Sequence, residues 1–283
     1  MRTWLITGCS SGIGRGIAKA ALERGEQVVV TARNPESVES LVKAYPKSVI
    51  SVALDVTNIE SINNAVYVAE RKFGTIDVLV NNAGHGYRAA LEEGEAEAIK
   101  EVFQTNVFGP LNLIKAVLPG MRVQKQGAVI NVSSIAAVYA NVGSGYYAAT
   151  KAALELLSDA LYQEATPLGI KVMIVEPGAF KTRFFDDSMK GTSIKIDDYS
   201  QTAGKTRKEV LINDGNQLGD PDKGGQVIVN TILGETYPAR LVLGSDAVDF
   251  IRKKLQNRLR ELESWQAVSE QTNREGIDIK FFD

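Results

Sequence analysis

Along the 283 residues, short runs of nearly continuous Val, Ile and Leu alternate with longer stretches whose apolar positions recur every three or four residues. The runs 3–6, 27–31, 48–54, 78–80, 128–132, 171–175 and 240–243 show no in–out alternation, the pattern of parallel strands buried on both faces. Between them lie helix-length intervals, among them 14–24, 59–72, 111–123 and 148–164. This alternation predicts βαβ units. The expected fold class is therefore α/β: a doubly wound, Rossmann-type parallel sheet of about seven strands in three αβα layers.

No Pro/Ser linker, charge run or composition shift divides the chain, so a single domain over 1–283 is expected. The loosest segment is 186–219, rich in Lys, Asp, Thr, Ser and Gly. It reads either as irregular surface or as a flap over a substrate site. Asp220-Pro221 starts a helix, with Asp at the N-cap and Pro at the first helical position. In the C-terminal extension, 245–283, Val248, Ile251, Leu255, Leu259 and Leu262 recur at helical spacing. This predicts an amphipathic helix packed on the sheet or on another subunit, with 279–283 as a frayed tail.

Composition removes several functions. Lys plus Arg number 32 and Asp plus Glu 34, a net charge of -2, which argues against a nucleic-acid partner. The single cysteine, Cys9, excludes an intrachain disulfide and suits a reducing compartment. One histidine, His85, leaves no His-rich metal site, and no metal is expected. No apolar run reaches the length of a membrane span or a signal peptide, so the expected location is cytoplasmic.

Chemistry concentrates in two places. The first strand runs into Thr7-Gly8-Cys9-Ser10-Ser11-Gly12-Ile13-Gly14 and then into a helix. Glycines there let the backbone approach a diphosphate, and the helix N-terminus supplies N–H donors and a positive dipole end. The second strand ends Val30-Thr31-Ala32-Arg33, without the acid that would bind an NAD ribose. Arg33 can instead pair with a 2′-phosphate, so NADP(H) is preferred over NAD(H). Farther on, Tyr147 and Lys151 stand four residues apart and share a helix face. A lysine beside a phenol is expected to lower its pKa towards the working range of a general acid/base. Tyr146 has only Thr150 at that offset.

Taken together, Thr7-Gly8-xxx-Gly12-x-Gly14, Asp55-Val56, Asn81-Asn82-Ala83-Gly84, Asn106, Ser134, Tyr147-xxx-Lys151 and Pro177-Gly178 resemble the short-chain dehydrogenase/reductase family, in its standard-length branch. The resemblance covers roughly residues 1–185. The stretch 240–247 is more softly similar to the 17β-hydroxysteroid-dehydrogenase-like group. The resemblance implies Tyr147 as catalytic acid/base and Lys151 as holder of the nicotinamide ribose. It implies Ser134 on the substrate oxygen, and Asn106 supporting a water in a proton relay to Lys151. Cofactor contacts are implied for Gly8, Ser10, Ser11, Gly12, Ile13, Gly14, Asp55, Val56, Asn82, Ala83, Gly84, Pro177, Gly178 and Thr182, and assembly as a homodimer or homotetramer. His85 reads as structural or substrate-lining. Tyr87, Tyr139, Val142, Phe180, Phe184 and Phe185 are expected in loops at the strand carboxyl ends, where they suit a hydrophobic substrate.

The expected activity is hydride transfer between NADP(H) and a ketone, aldehyde or secondary alcohol. Two alternatives stay open: a 3-oxoacyl thioester reductase of the same fold, and a non-catalytic NADP-binding sensor.

Overall fold

The computed structural model describes residues 1–182, 184, 189–212 and 217–274. Its centre is a seven-stranded parallel sheet made of β1 (Thr3–Ile6), β2 (Gln27–Ala32), β3 (Val49–Ala53), β4 (Val78–Asn81), β6 (Gly127–Val132), β7 (Ile170–Pro177) and β9 (Arg240–Leu243). The strand order is β3-β2-β1-β4-β6-β7-β9. Two short strands outside it, β5 (Gly86–Arg88) and β8 (Met189–Gly191), pair in parallel with each other.

The absence of alternation in the sequence has a direct cause. Trp4, Ile6, Val28, Val30, Val78, Val80, Ile130 and Met173 point into one apolar core. Their neighbours Leu5, Val29, Leu79, Val129 and Val172 point into a second core on the opposite face. Both faces of each strand are therefore apolar. Helices α1 (Gly12–Glu23), α2 (Glu39–Ala44) and α8 (Pro221–Leu233) contribute Ile17, Leu41 and Ile228 to the first core. Helices α3 (Ile59–Phe73), α5 (Gly109–Gln124) and α6 (Gly145–Ala165) contribute Ile62, Leu113 and Leu161 to the second.

Local chemistry sets the helix starts. Asn58 Oδ1 accepts from the N–H groups of Glu60 (2.8 Å) and Ser61 (3.1 Å) to cap α3. Asp220 caps α8 with Pro221 at its first position, as the sequence predicts. Helices α1 and α8 touch backbone to backbone: a Cβ on Gly225 would stand 2.2 Å from the carbonyl carbon of Gly16. That contact anchors α1, whose N-terminus carries the glycine loop.

Two expectations are corrected. The segment 186–219 is not irregular throughout, because it contains β8 and the helix α7 (Ala203–Ile212). Its polar residues are anchors. Arg207 pairs with the buried Glu93, Lys190 with Glu101 at 2.5 Å, Ser193 Oγ donates to Glu95 at 2.7 Å, and Tyr199 Oη donates to Glu92 at 2.8 Å. Three of these acids lie between β5 and α4 (Ala96–Phe103), and Glu101 lies within α4. The second concerns the C-terminal helix, α9 (Ser245–Ser269): of the two packings expected for it, that along the sheet is not the one seen. Only Ala247 is buried in it. Residues 279–283 lie outside the described residues. Among the described residues, no helix is long and apolar enough to cross a membrane, and no cluster of His, Cys, Asp and Glu is arranged to hold a metal ion.

Candidate active site

The strand order reverses between β1 and β4, and a cleft of about 350 Å³ opens there, above the strand carboxyl ends. Gly8, Ser10, Ser11, Gly12, Ile13, Arg33, Asp55, Val56, Asn82, Ala83, Gly84 and Thr182 all line it. Helix α1 begins at Gly12, two residues earlier than its periodicity predicts, so the first free N–H groups belong to Gly12, Ile13 and Gly14. Ser11 at the N-cap makes no side-chain cap, and no acid sits in the first turn. An uncapped, positive helix end facing a cleft suits a diphosphate.

Gly14 lies beneath the loop rather than on the cleft wall. A Cβ there would fall 2.3 Å from Asn82 Nδ2 and 2.5 Å from Gly8 O. The loop is tied to β4 by two side chains. Thr7 Oγ1 accepts from the N–H groups of Asn82 and Ala83, each at 2.9 Å, and Asn82 Nδ2 donates to Thr7 O (2.9 Å) and Gly8 O (3.1 Å). Asp55 Oδ1 accepts from Thr57 N–H (2.9 Å) and Thr57 Oγ1 (2.7 Å), which fixes the turn at the cleft edge. Arg33, just past β2, is exposed on the cleft wall. The residues present thus fit a dinucleotide: amide donors suited to a diphosphate, with the Arg33 guanidinium on the wall of the same cleft.

A second cavity of about 270 Å³ shares Ile13, Asn82, Gly84, Thr182 and Phe184 with the first. Ser134, Tyr147, Lys151, Pro177 and Gly178 line it. Ser134 stands just past β6, while Tyr147 and Lys151 lie on the first two turns of α6. Lys151 Nζ donates to Val132 O at 2.9 Å and lies 5.8 Å from the centroid of the Tyr147 ring.

The expected lowering of the tyrosine pKa is not found. Burial pushes Tyr147 up to about 12, and a hydrogen bond with Ser134 only partly offsets this. Burial also pushes Lys151 down to about 8, although the Glu155 carboxylate holds it up somewhat. At neutral pH Tyr147 is therefore a neutral phenol, a proton donor. Desolvation dominates, and the Lys151 ammonium is engaged with the Val132 carbonyl.

Asn106 lines neither cavity. It sits in a π-helical turn, Gln104–Phe108, between α4 and α5. Its Oδ1 accepts His85 N–H at 3.0 Å, and its Nδ2 donates to His85 O (2.8 Å) and Thr150 Oγ1 (3.0 Å). Both amide donors are thus spent on positioning the strand-four loop against α6. His85 lines the dinucleotide side of the cleft, and burial lowers its pKa. Cys9 is buried beneath the loop with Sγ donating to Ile6 O, and burial raises it to about 12, so it stays a thiol.

Among the aromatic candidates, Tyr139, Phe180 and Phe184 line the second cavity, and Phe184 stacks at 5.5 Å on Tyr147. Tyr87 does not. It is buried in β5, stacks at 5.9 Å on Tyr146, and its Oη accepts Glu95 N–H at 2.9 Å. Val142 is exposed outside the cavity, and Phe185 lies outside the described residues. Arg88 and Met189 line the cavity although their motif context carries no sign of it. Both stand on the β5–β8 pair, a tertiary contact across about a hundred residues. Behind Lys151, Ser133 Oγ donates to the buried Glu155 at 2.7 Å. Arg240 Nε reaches Glu155 at 3.4 Å and Glu176 at 3.7 Å, and burial beside Glu155 raises Glu176 to about 7.

The family profile described as short chain dehydrogenase matches residues 2–192. The chain belongs to the short chain dehydrogenase family. An oxidoreductase of Botryotinia fuckeliana, BOA17, is 34% identical over 269 residues, covering 95% of this chain and 98% of that one. A 3-ketodihydrosphingosine reductase of Bacteroides thetaiotaomicron is 37% identical over 241 residues, covering 85% and 87%. The crystal structure of a short-chain dehydrogenase from Streptomyces avermitilis superposes with a TM-score of 0.90 at 41% identity, covering 96% of this chain and all of that one. Other solved structures of this fold hold 5-hydroxy-NADP in one case and NAD in another. This short chain dehydrogenase is thus an oxidoreductase with a nucleotide-binding fold.

Proposed function

We propose that the protein transfers a hydride between NADP(H) and a hydrophobic ketone, aldehyde or secondary alcohol, with Tyr147 as acid/base. The observation that carries this reading is the convergence of Ser134, Tyr147 and Lys151 on a cavity continuous with the dinucleotide cleft. The nicotinamide supplies or receives the hydride. The chain's part is to orient the reactants and to manage charge on the substrate oxygen. The Ser134 hydroxyl and the neutral Tyr147 phenol both donate to that oxygen, stabilising negative charge as it develops, and Tyr147 then gives up its proton. Lys151, cationic below about pH 8, is suited to hold the nicotinamide ribose and restore the tyrosine proton. Asn106, whose side-chain amide holds His85 and Thr150, supports a water in the proton relay to Lys151.

Arg33 at the end of β2, where the ribose-binding acid is missing, supports NADP(H) over NAD(H). Tyr139, Phe180, Phe184 and Met189 support an apolar substrate, as does the relative whose name states reduction of a ketone, 3-ketodihydrosphingosine. In this reading 1–283 is one domain, with 186–219 as the substrate flap and a small molecule as the reaction partner. The test is oxidation of NADPH and NADH over a panel of ketones, aldehydes and 3-oxoacyl thioesters. Turnover of apolar ketones with NADPH is expected. Tight NADPH binding without turnover of any carbonyl would overturn the reading in favour of a sensor, and selective thioester turnover would assign the acyl-reductase alternative.

A further inference from the structure

Helix α9, 25 residues and about 37 Å long, leaves the body of the protein after two turns. Near its start Ala247 is buried, Phe250 stacks at 6.0 Å on Tyr139, and Lys254 Nζ stands 5.9 Å from the Tyr139 ring. From Arg252 to Arg274 every residue is exposed. The free-standing part nevertheless continues an apolar stripe. Val248, Ile251, Leu255, Leu259 and Leu262 fall within one narrow arc of the helix, and the three leucines are 54%, 55% and 63% exposed. Helices in proteins are stabilised mostly by packing of an amphipathic face, so a row of leucines turned to solvent marks an interaction surface.

The charges beside the stripe say what covers it. In the half near the body, 245–257, Arg252, Lys253 and Lys254 follow Asp246 and Asp249. In the free half, 258–269, Glu261 and Glu263 follow Arg258 and Arg260. At 3.6 residues per turn, Arg252 and Glu263 flank one side of the stripe, while Lys254 and Glu261 flank the other. Through these two pairs the helix is complementary to itself when reversed and like-charged to itself when parallel, with Arg258 beside its own copy near the midpoint.

We propose that α9 pairs antiparallel with α9 of a second copy of this chain, about a two-fold axis passing between Leu255 and Leu259. Leu255 then meets Leu259, Ile251 meets Leu262, Lys254 faces Glu261 and Arg252 faces Glu263. All four pairings belong to one offset, to within two residues, so the apolar and charged registers agree. The contact is isologous, as a two-fold dimer requires. The offset also brings the second copy's Trp265 level with Phe250, and so to Tyr139 on the rim of the substrate cavity. Arg252 already bonds Asp249 on its own helix at 3.1 Å, so Lys254 with Glu261 is the pair to test.

The chain has two tryptophans: Trp4 is fully buried, whereas Trp265 is 61% exposed in a single copy. Sedimentation equilibrium of the full chain, with iodide quenching of Trp265 on the same samples, reads both assembly and its location. A concentration-dependent mass is expected, with Trp265 shielded in the larger species. Leu255→Glu with Leu259→Glu should halve that mass and expose Trp265 while leaving the sheet's melting transition in place. Lys254→Glu should weaken the association by at least about tenfold, since like charges then face each other twice. Lys254→Glu combined with Glu261→Lys should restore it. Three results would overturn the proposal: unchanged mass and quenching in the leucine double variant, no rescue by the charge swap, or shielding of Trp265 at all concentrations that disappears when the chain ends at Arg274. The last would identify 275–283 as what covers the stripe.

Discussion

Glu93 is the most severely buried acid of the flap anchor, with its side chain fully inaccessible, and Arg207 closes on both of its oxygens, Nη2 to Oε1 at 3.2 Å. Two backbone donors complete the shell, Ala90 N–H and Ile196 N–H, each at 3.0 Å. Arg207→Ala removes the guanidinium and leaves a buried carboxylate, a change that costs about 3–5 kcal/mol. The two N–H groups remain, so the lower figure applies, about 3 kcal/mol. This corresponds to a rise of roughly two orders of magnitude in the opening equilibrium. The loss should be local, because Glu93 and Arg207 join the 189–212 segment to the loop before α4 and not to the sheet. Hydrogen exchange resolved by residue should therefore show faster opening across β8 and the start of α7, with β1, β4 and β6 unchanged. Met189 travels with that segment, so KM should rise more than kcat falls. Acid supplies a second readout. The guanidinium holds the Glu93 carboxyl down at about 2, so its contribution is present above about pH 4.5 and is lost as pH falls towards 2. Arg207→Ala should shrink that acid dependence. Adding Glu93→Gln to Arg207→Ala removes the stranded charge and should recover most of the protection. If the single variant exchanges like the parent, or the double variant is no better than the single, the buried-charge argument is wrong.

Tyr147→Phe should retain NADPH binding by fluorescence titration and lower kcat by about 10²–10⁴-fold; near-normal turnover would remove Tyr147 from the chemistry. Arg33→Asp should shift the ratio of kcat/KM for NADPH over NADH by at least about tenfold towards NADH, the value of one or two charge-assisted hydrogen bonds. An unchanged ratio would show that another group reads the ribose. Lys151 titrates at about 8 in the folded chain, against about 10.4 when unfolded. The unfolded state thus binds more protons between those values, and stability should rise with pH across that window by an amount on the order of 3 kcal/mol. Lys151→Met should flatten this rise in urea melts at pH 7.5 and 10, and identical profiles would contradict the burial of a titrating lysine.

The elements that were legible in the sequence are those whose signal is local. Continuous apolar runs mark strands that face two cores, and Asp220-Pro221 starts a helix wherever that helix later packs. The glycine loop and the Tyr147–Lys151 spacing are likewise local, because backbone approach and a shared helix face depend only on near neighbours. Segment 186–219 misled because polar residues look the same whether they face water or a buried glutamate. Tyr87, expected at the cavity, is buried away from it, and Met189, which carries no sequence signal, lines it, since the β5–β8 pairing decides which side chain meets the cavity.

By itself, then, the sequence determined the α/β class, the cleft at the strand ends and the identity of the groups available for chemistry. Tertiary structure decided what those groups are like. Burial makes Tyr147 a neutral donor and Lys151 a readier one, the Asn106 side-chain amide holds a loop, and α9 stands clear of the sheet with its leucines free for a partner. Desolvation, long-range pairing and exposure depend on which distant segments arrive at the same place, and spacing along one chain does not contain that.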